Sequence, residues 1–289
     1  GFSDIGAFGS EIKTPNLDKL AGEGLRMTQF YNTGRCCPSR ASLMTGLYPH
    51  QAGVGDMLQD DGLEAYSTHL NFNSVTLAEV LQSAGYHTII SGKWHVGNEP
   101  EYWPTKRGFV DQYFSNGTTG HYFGISKGRQ YIVNGKDVPP GDNWRKSGES
   151  EYQLYKNDDG SQWYATDAIA THAIDFVHNH RKKDKQKPLF LYLPFTAPHW
   201  PLHAFESDIA KYQGKYLGGW DSLRDVRFAR MKSLGIIQET WALSGRNESV
   251  RDWRTLSKSE KIYYDRLMAV YAAMIDRLDQ NVGRVLGRA

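Results

Sequence analysis

Apolar residues recur at helical spacing in four segments of the chain, and residues typical of helix ends flank them. Pro15 follows Thr14, a good N-cap residue, and Gly85 stands where a helix would end. Ser257 and Glu260 have the spacing of a capping box. The pattern predicts helices that begin at Pro15 and that cover 76–84, 164–178 and 257 to about 285.

Short apolar segments at 25–31, 87–90 and 189–193 predict strands. The last segment is apolar throughout, as expected for a strand that helices cover on both faces. Polar residues that could do chemistry follow each of the three strands. In open α/β sheets, ligands bind at the carboxyl ends of the strands. The pattern therefore predicts an α/β fold with a ligand site at one edge of its sheet.

Two stretches are predicted to be irregular. Residues 103–160 are rich in Gly, Tyr, Asn and Asp, with Asn116-Gly117 and Asn134-Gly135 as hairpin-type turns. This stretch is expected to form short strands and loops that line the substrate cleft. Residues 203–256 show no clear periodicity.

Charge and composition exclude several partners. Lys and Arg number 34 against 32 Asp and Glu, and the charges are interspersed except for a short basic run at 181–185. This nearly neutral charge balance does not indicate binding to a nucleic acid. No apolar run is long enough to cross a bilayer, so no membrane span is expected. Two adjacent cysteines cannot form a disulfide framework for 289 residues.

The two cysteines precede Pro38, which stands where a new helix would begin. A thiol at a helix N-terminus, between Arg35 and Arg40, lies in positive surroundings that favour a nucleophilic thiolate. A cysteine hydrolase would also need a histidine, and His95 or His199 could serve. The alternative is a pair of buried, inert thiols. The residues alone leave both interpretations open.

Several motifs resemble those of one enzyme family. The pattern at 36–46, with Cys36, Pro38, Ser39, Arg40, Leu43, Thr45 and Gly46, is similar to the signature of the type I sulfatases, in the alkaline phosphatase superfamily. The segments 92–97 (GKWHVG) and 197–201 (APHWP) resemble the second signature and the downstream histidine motif of that family. The segments 1–6, 14–18 and 270–276 are also similar, in the order of the family. The resemblance thus spans nearly the whole chain.

The resemblance implies a modified nucleophile. In such enzymes the cysteine equivalent to Cys36 is oxidised to formylglycine by a formylglycine-generating or sulfatase-maturating enzyme, which reads the Cys-x-Pro-x-Arg core. Cys37 occupies the variable position. One hydroxyl of the aldehyde hydrate would attack sulfur and displace the alcohol. Loss of a proton from the other hydroxyl would then re-form the aldehyde and release sulfate, whereas a serine would have to wait for water.

The resemblance also implies roles for four further residues. Negative charge grows on the leaving oxygen of a sulfate ester, so fixed cations and hydrogen-bond donors are needed there. Arg40 would reach back to the formylglycine, and Lys93 would hold a sulfate oxygen. His95 would be the base in the elimination step. His199 would bind sulfate and help to protonate the leaving group.

The resemblance implies an alkaline-phosphatase-like fold, with a mixed, mainly parallel sheet sandwiched between helices. One catalytic domain is expected over 1–289, incomplete and truncated at both ends, with an irregular cleft-forming insertion at about 100–160. The family binds Ca²⁺, or Mg²⁺, through oxygen ligands. Of the ligands, only residue 36, as formylglycine, is expected in this chain. The isolated chain is therefore expected to be inactive towards a generic aryl sulfate.

Two alternatives remain beside sulfate ester hydrolysis. A phosphate or phosphonate monoester hydrolase of the same superfamily would share the fold, and a non-catalytic binding domain would keep an unmodified thiol at residue 36. The substrate is expected to be a small aryl, glycan or steroid sulfate. By resemblance to the family, the protein is expected to be periplasmic or secreted.

Overall fold

The computed structural model describes residues 2–57, 59–117, 120–137, 144–147 and 150–288. It divides into two compact units, the first made of Gly1–Phe30 and Ala197–Arg284 and the second of Tyr31–Thr196 and Val285–Ala289. The described residues contain no helix that is both long enough and apolar enough to span a bilayer.

The helices and strands follow one another in an α/β order. The α-helices are α1 Pro15–Glu23, α2 Cys36–Thr45, α3 Leu77–Ser83, α4 Ala165–Lys183, α5 Glu206–Ile209, α6 Trp220–Ser233 and α7 Lys258–Leu286. The strands are β1 His87–Lys93, β2 Asp111–Ser115, β3 Gly124–Ser126, β4 Ile132–Val133, β5 Lys136–Asp137, β6 Trp144–Ser147, β7 Ser150–Leu154 and β8 Leu189–Tyr192. Short 3₁₀ turns lie at Phe2–Asp4, Gly6–Phe8, Pro100–Tyr102, Pro104–Lys106 and Trp253–Thr255.

The second unit is built on a five-stranded sheet with the order β5-β4-β2-β1-β8. Strand β1 runs parallel to both β2 and β8, whereas β4 pairs antiparallel with β2 and with the edge strand β5. In this register Lys93 lies opposite Ser115, and Ile90 lies opposite Tyr192. The carboxyl ends of β1, β2 and β8 therefore meet at one edge. The prediction of a mixed, mainly parallel sheet is confirmed.

Helices cover this sheet on both faces. Phe190 and Tyr192 pack against a buried cluster to which α2 and α3 contribute. Leu191 and Leu193 pack instead against a cluster to which Ala170 of α4 belongs. Because successive side chains of a strand point to opposite faces, α2 and α3 lie on one face and α4 on the other. The apolar run at 189–193 is thus partly covered on both faces.

The insertion contains short strands and loops, as its composition predicts, and some of these strands lie in the central sheet. Strand β2 joins the central sheet, and β3, β7 and β6 form a separate antiparallel sheet. Asn134 and Gly135 both have positive φ and join β4 to β5, as the hairpin prediction requires. The prediction for Asn116-Gly117 is wrong, because β2 takes β4 as its antiparallel partner. Residues 118 and 119, which follow Asn116-Gly117, lie outside the described residues.

Arg107 links two loops of the second unit from a buried position. Its guanidinium, 1% exposed, donates to the carbonyl oxygens of Leu70 at 3.0 Å and Ser74 at 2.6 Å. Its Nε lies 3.4 Å from a carboxylate oxygen of Glu79, the N3 residue of the α3 capping box. One side chain therefore satisfies several groups that have little access to water.

Replacing Arg107 by methionine is expected to lower the free energy of unfolding by about 2–4 kcal/mol, because buried carbonyl oxygens lose their donors. Urea unfolding followed by circular dichroism measures this loss. The matched control is Lys106→Met on the neighbouring exposed residue, for which a change within about 0.5 kcal/mol is expected. Equal stabilities of the two variants would contradict this account of Arg107.

In the first unit, Asp279 caps the start of α1, and not Thr14 as predicted. Thr14 is the N-cap residue, but its hydroxyl donates to Asp18 and accepts from the backbone N–H of Gly6, and it caps no backbone N–H of α1. Asp279 of α7 instead accepts hydrogen bonds from the backbone N–H groups of Asn16 and Leu17, at 3.2 and 2.8 Å. A carboxylate at this position also complements the positive end of the helix.

A charged network holds the N-terminal segment of the first unit against α6. Arg227 of α6 bonds Asp4 at 2.6 Å and Glu11 at 2.7 Å. Burial by itself raises the pKa of Glu11, but hydrogen bonds and charge from Arg227 bring the pKa below its ordinary value. Tyr271 donates to the other oxygen of Asp4. Asp4 therefore has a structural role in this unit.

Two further predictions of secondary structure are wrong. Residues 25–31 belong to no strand of the described structure, and Leu25 and Tyr31 are 82% and 81% exposed. A strand needs a neighbour that takes its backbone hydrogen bonds and covers its apolar side chains, and a short apolar run does not supply one. The stretch 203–256 contains α5 and the 14-residue α6. Helix α6 was not predicted, because it has no buried residue and its sequence therefore lacks the apolar stripe by which an amphipathic helix is identified.

Candidate functional site

Cys36 is the first residue of α2, and Arg35 precedes it as an extended N-cap residue. The backbone N–H of Ser39 donates to the carbonyl oxygen of Arg35 at 3.0 Å, which closes the first turn. The helix thus begins two residues before Pro38, the predicted start. Residue 36 lies at the positive end of the helix dipole, as the sequence predicts.

The two cysteines are free thiols in different surroundings. Cys36 is half-buried, whereas Cys37 is fully buried in the core cluster below the helix. Burial, together with the neighbouring Cys36, raises the pKa of Cys37 to about 12. Cys37 is therefore poorly suited to act as a nucleophile, and Cys36 is the accessible thiol of the pair.

Arg40 and Lys93 meet beside Cys36. Arg40 Nη1 donates to the backbone carbonyl oxygen of Lys93 at 2.6 Å and lies 3.5 Å from the hydroxyl of Tyr192. Lys93, the last residue of β1, is only 2% exposed. Burial lowers the pKa of its ammonium group, and the charge of Arg40 lowers it further. Two cations held together with little access to water form a site that an anion would stabilise.

The carboxyl edge of the sheet is packed too closely for any residue but glycine at position 92. Gly92 has a φ of 137°, and a Cβ there would overlap the carbonyl oxygen of Pro194. The same carbonyl accepts a hydrogen bond from the backbone N–H of Lys93 at 2.8 Å. This contact holds the end of β1 beside the segment that follows β8, and so fixes the position of Lys93.

His95 follows β1 in a left-handed conformation, with a φ of 62°. A residue with a side chain rarely adopts this region, which is often occupied at functional sites. One ring nitrogen and the two sulfur atoms of Cys36 and Cys37 all lie within 4.8 Å of one another. The strand end thus directs the imidazole towards the start of α2.

A cavity of about 580 Å³ opens at this edge. Arg40 lines it, and Arg40 Nε is buried without a hydrogen-bond partner among the described residues. A ligand oxygen would satisfy this donor. The lining residues are Asn32, Gly34, Arg35, Cys36, Ser39, Arg40, Leu43, Tyr192, Leu193 and Pro194.

The donor atoms at residue 36 do not fit a hard cation. Within the described part of the chain, Cys36, Cys37 and His95 form the one group of three or more His, Cys, Asp or Glu residues close enough to share an ion. It offers two sulfur atoms and one imidazole nitrogen, whereas Ca²⁺ and Mg²⁺ prefer several oxygen ligands. These residues therefore do not form a calcium site by themselves.

Four of the five predicted site residues, namely Cys36, Arg40, Lys93 and His95, belong to the second unit and lie together there. The fifth, His199, belongs to the first unit. Its Nδ1 lies 2.6 Å from the carbonyl oxygen of Trp200. The catalytic roles of all five residues, including an approach of His199 to Cys36, stay predictions.

Sequence reasoning missed three residues at this site. The apolar pattern at 189–193 gives Tyr192 no role beyond the strand, although Tyr192 is the last residue of β8 and its position at a strand end is typical of functional residues. Nothing in the sequence indicates that the sulfur of Met57 lies 3.7 Å from Cys36 Sγ. Arg129 lines a second pocket of about 300 Å³ with Asn98 and other polar residues. A Cβ on Gly117 would lie 3.4 Å from His95 Nε2 and 3.6 Å from Arg129 Nη1, so this pocket adjoins His95.

The chain matches the sulfatase family model over residues 1–289. It is 37% identical to an uncharacterized sulfatase of Schizosaccharomyces pombe, with 99% of this chain and 52% of that protein aligned. It is 34% identical to the arylsulfatase of Klebsiella aerogenes, with 99% of this chain and 59% of that enzyme aligned. The chain thus spans somewhat more than half the length of these two relatives.

Solved structures of the same fold include a protein in complex with its substrate, D-glucosamine-2-N,6-O-disulfate. The likeness has a TM-score of 0.62 at 22% identity, with 99% of this chain and 59% of that chain covered. The architecture is accordingly that of the alkaline-phosphatase-like sulfatases.

Proposed function

This chain belongs to the sulfatase family, and from that premise we propose that it carries the catalytic centre of a sulfuric ester hydrolase. The nucleophile is a formylglycine made from Cys36, and the substrate is a sulfate monoester. The observation that carries this proposal is the meeting of Arg40 and Lys93 at the helix end where Cys36 lies. A sulfate ester is an anion, and this is the arrangement that would bind it.

Lys93 and Arg40 bind and orient the sulfate group. The Lys93 ammonium reaches one sulfate oxygen, and Arg40 Nε, which has no partner among the described residues, donates to another. Lys93 and the Nε of Arg40 are buried, so their interaction with a growing negative charge is stronger than at an exposed site. The bond from Arg40 to the Lys93 carbonyl oxygen keeps the two side chains in a fixed relation.

The hydrated formylglycine supplies two hydroxyl groups on one carbon, one to bond sulfur and one to drive the later release of sulfate. The positive end of α2 favours negative charge on these oxygens. His95 takes the proton from the second hydroxyl, since its ring nitrogen lies within 4.8 Å of Cys36 Sγ. Base catalysis of this kind contributes about a hundredfold to ten-thousandfold to the rate. By resemblance to the family, His199 protonates the leaving oxygen.

The Ca²⁺ or Mg²⁺ ion that the resemblance implies takes no step in this proposal. The unmodified thiols and His95 do not fit a hard cation, whereas residue 36 as formylglycine would offer oxygen, and the other oxygen ligands would have to come from elsewhere in the protein. The binding and proton transfers assigned to Lys93, Arg40 and His95 do not depend on that ion.

The substrate is a small sulfated molecule, and a sulfated sugar fits best among aryl, glycan and steroid sulfates. The pocket beside His95 is lined by Asn98, Asn116, Arg129 and Gln130, whose side chains can bond hydroxyl groups. A steroid would find few apolar contacts there. The glucosamine disulfate bound by the structural relative is a ligand of this kind. A maturating enzyme is the implied protein partner, and a periplasmic or secreted location completes the proposal.

The test is the mass of the peptide that contains residue 36, isolated from the native host. Formylglycine replaces sulfur and two hydrogens of the thiol with one oxygen, so the peptide becomes lighter. Aryl sulfate and aryl phosphate are then compared as substrates of the same preparation. We expect the aldehyde mass and a preference for the sulfate. An unmodified thiol without hydrolysis would indicate a binding domain, and a preference for phosphate would indicate the phosphatase alternative.

A further inference from the structure

Three sulfur atoms converge at the start of α2. Cys36 Sγ lies 4.0 Å from Cys37 Sγ and 3.7 Å from Met57 Sδ, and Cys37 Sγ lies 3.9 Å from the same Met57 sulfur. The three atoms form a nearly equilateral triangle. The proposed hydrolysis uses only Cys36, so the other two sulfurs have no part in it.

The triangle has the size of a trigonal metal site. The centre of an equilateral triangle lies at the edge length divided by √3 from each corner, which is here about 2.2 Å, close to the metal–thiolate distances of about 2.3 Å found in proteins. A ring nitrogen of His95 lies within 4.8 Å of both cysteine sulfurs and can approach as a fourth donor.

The surroundings of the triangle favour a preformed site with an entrance. Cys37 is fully buried, and Cys36 and Met57 pack against the same core cluster. Cys36 also lines the open cavity of about 580 Å³, which gives an ion access to the sulfurs. Met57 is 20 residues from Cys37 in sequence, so only the folded chain brings the three atoms together.

The donor set selects a soft monovalent ion. Thiolate and thioether sulfurs select Cu(I), whereas Zn²⁺ takes thiolate, imidazole and carboxylate ligands. Two thiolates and one neutral thioether around Cu(I) carry one net negative charge. The buried cation Lys93 lies close enough to both thiols to compensate that charge, and the half-buried Arg40 acts on Cys37.

We propose that the unmodified chain, with a thiol at residue 36, binds one Cu(I) ion through Cys36, Cys37 and Met57, with His95 beside it. Binding releases the two thiol protons and leaves the oxidation state of copper unchanged. Conversion of Cys36 to an aldehyde removes one of the three sulfurs and so abolishes the site. Copper binding is thus a property of the immature protein, and it does not depend on the hydrolysis proposed above.

The experiment uses the chain made in a host without maturation activity, with the thiol at residue 36 verified by intact mass. Cu(I) is added without oxygen, in competition with a chromophoric Cu(I) chelator. We expect one equivalent to bind and to protect both cysteines from alkylation. Met57→Leu should weaken binding at least about tenfold, and Cys37→Ser more strongly, because each removes one soft ligand. Met231→Leu, at a half-buried methionine of the first unit, should bind as the unaltered chain does.

X-ray absorption at the copper edge counts the ligands directly and needs no variant. Three sulfur neighbours at about 2.2–2.3 Å are expected. Two sulfur neighbours, or equal affinities of Met57→Leu and the unaltered chain, would mean that the adjacent cysteines chelate copper without the folded site, and the proposal would be wrong. Failure to take up one equivalent would overturn it as well. None of these results bears on sulfate ester hydrolysis.

Discussion

Replacing Cys36 by alanine is expected to lower the rate of aryl sulfate hydrolysis by about 10⁴-fold or more, because loss of a covalent nucleophile leaves only the binding contribution of the site. The rate is measured with the protein as its native host makes it, and an aldehyde-reactive hydrazide probe reports the modification. We expect the variant to lose both hydrolysis and labelling.

The matched variant is Cys37→Ser on the adjacent residue. By resemblance to the family, the proposed maturating enzyme would read Cys-x-Pro-x-Arg, in which residue 37 is variable, so hydrazide labelling of residue 36 should persist. If labelling instead disappeared in Cys37→Ser and persisted in Cys36→Ala, the aldehyde would lie at residue 37. The assignment of the nucleophile to residue 36 would then be wrong. Hydrazide labelling at residue 36 would also exclude a plain cysteine hydrolase, because the probe does not label a thiol. A cysteine hydrolase would instead be inhibited by thiol alkylation.

A serine at residue 36 separates the two halves of the reaction. Made without the maturating enzyme, Cys36→Ser keeps one oxygen nucleophile but lacks the second hydroxyl, whose proton His95 would remove. We expect at most one equivalent of alcohol to be released, with the sulfate group left on the protein. Rapid-mixing kinetics and intact mass detect this stoichiometry. Continuous turnover by this variant would contradict the role of a second hydroxyl.

The central sheet could be predicted where burial on both faces leaves an unambiguous pattern. The predicted strand at 189–193 corresponds to β8, and the predicted strand at 87–90 corresponds to the first part of β1. The end of β1 was missed because Ser91, Gly92 and Lys93 are not apolar. Ser91 fits within the sheet because its hydroxyl donates to a backbone carbonyl oxygen of α4. Gly92 fits because it has no Cβ that would overlap the carbonyl oxygen of Pro194.

The place of β2 in the central sheet, and helix α6, could not be predicted from the sequence. Asp111–Ser115 is short and lies in a Gly- and Asn-rich stretch, and only its pairing with β1 makes it a central strand. Helix α6 is held by ion pairs of Arg227 with Asp4 and Glu11, residues more than 200 positions away. Such long-range contacts leave no local periodicity, and hydrophobic patterning cannot detect them.

The candidate site could be predicted to the extent that its motifs follow the ends of parallel strands. Lys93 and His95 follow β1, and the register of β1 with β2 and β8 brings them to the edge where α2 begins. The sequence could not indicate that Met57 would join the cysteines. That contact depends on the path of a loop with no regular structure, and the proposed copper site rests on it.

Replacing Lys93 by methionine is expected to separate activity from stability. The lysine is 2% exposed, and burial lowers the pKa of its ammonium group, so folding places a charge where it is poorly solvated. Methionine has a similar length and no charge. The melting temperature should therefore stay the same or rise, as often happens when a buried charge at a functional site is removed.

The activity of Lys93→Met should fall sharply, because the transition state loses a fixed cation. Loss of one preorganised donor lowers kcat by about 10²–10³-fold. The rate is measured with an aryl sulfate and the stability by thermal melting, both with the protein from its native host. The control Lys106→Met, at an exposed residue outside the described cavities, should change neither. If Lys93→Met instead melted several degrees lower and kept its kcat/KM, Lys93 would be a structural residue. The anion site proposed around Arg40 would then lose its main support.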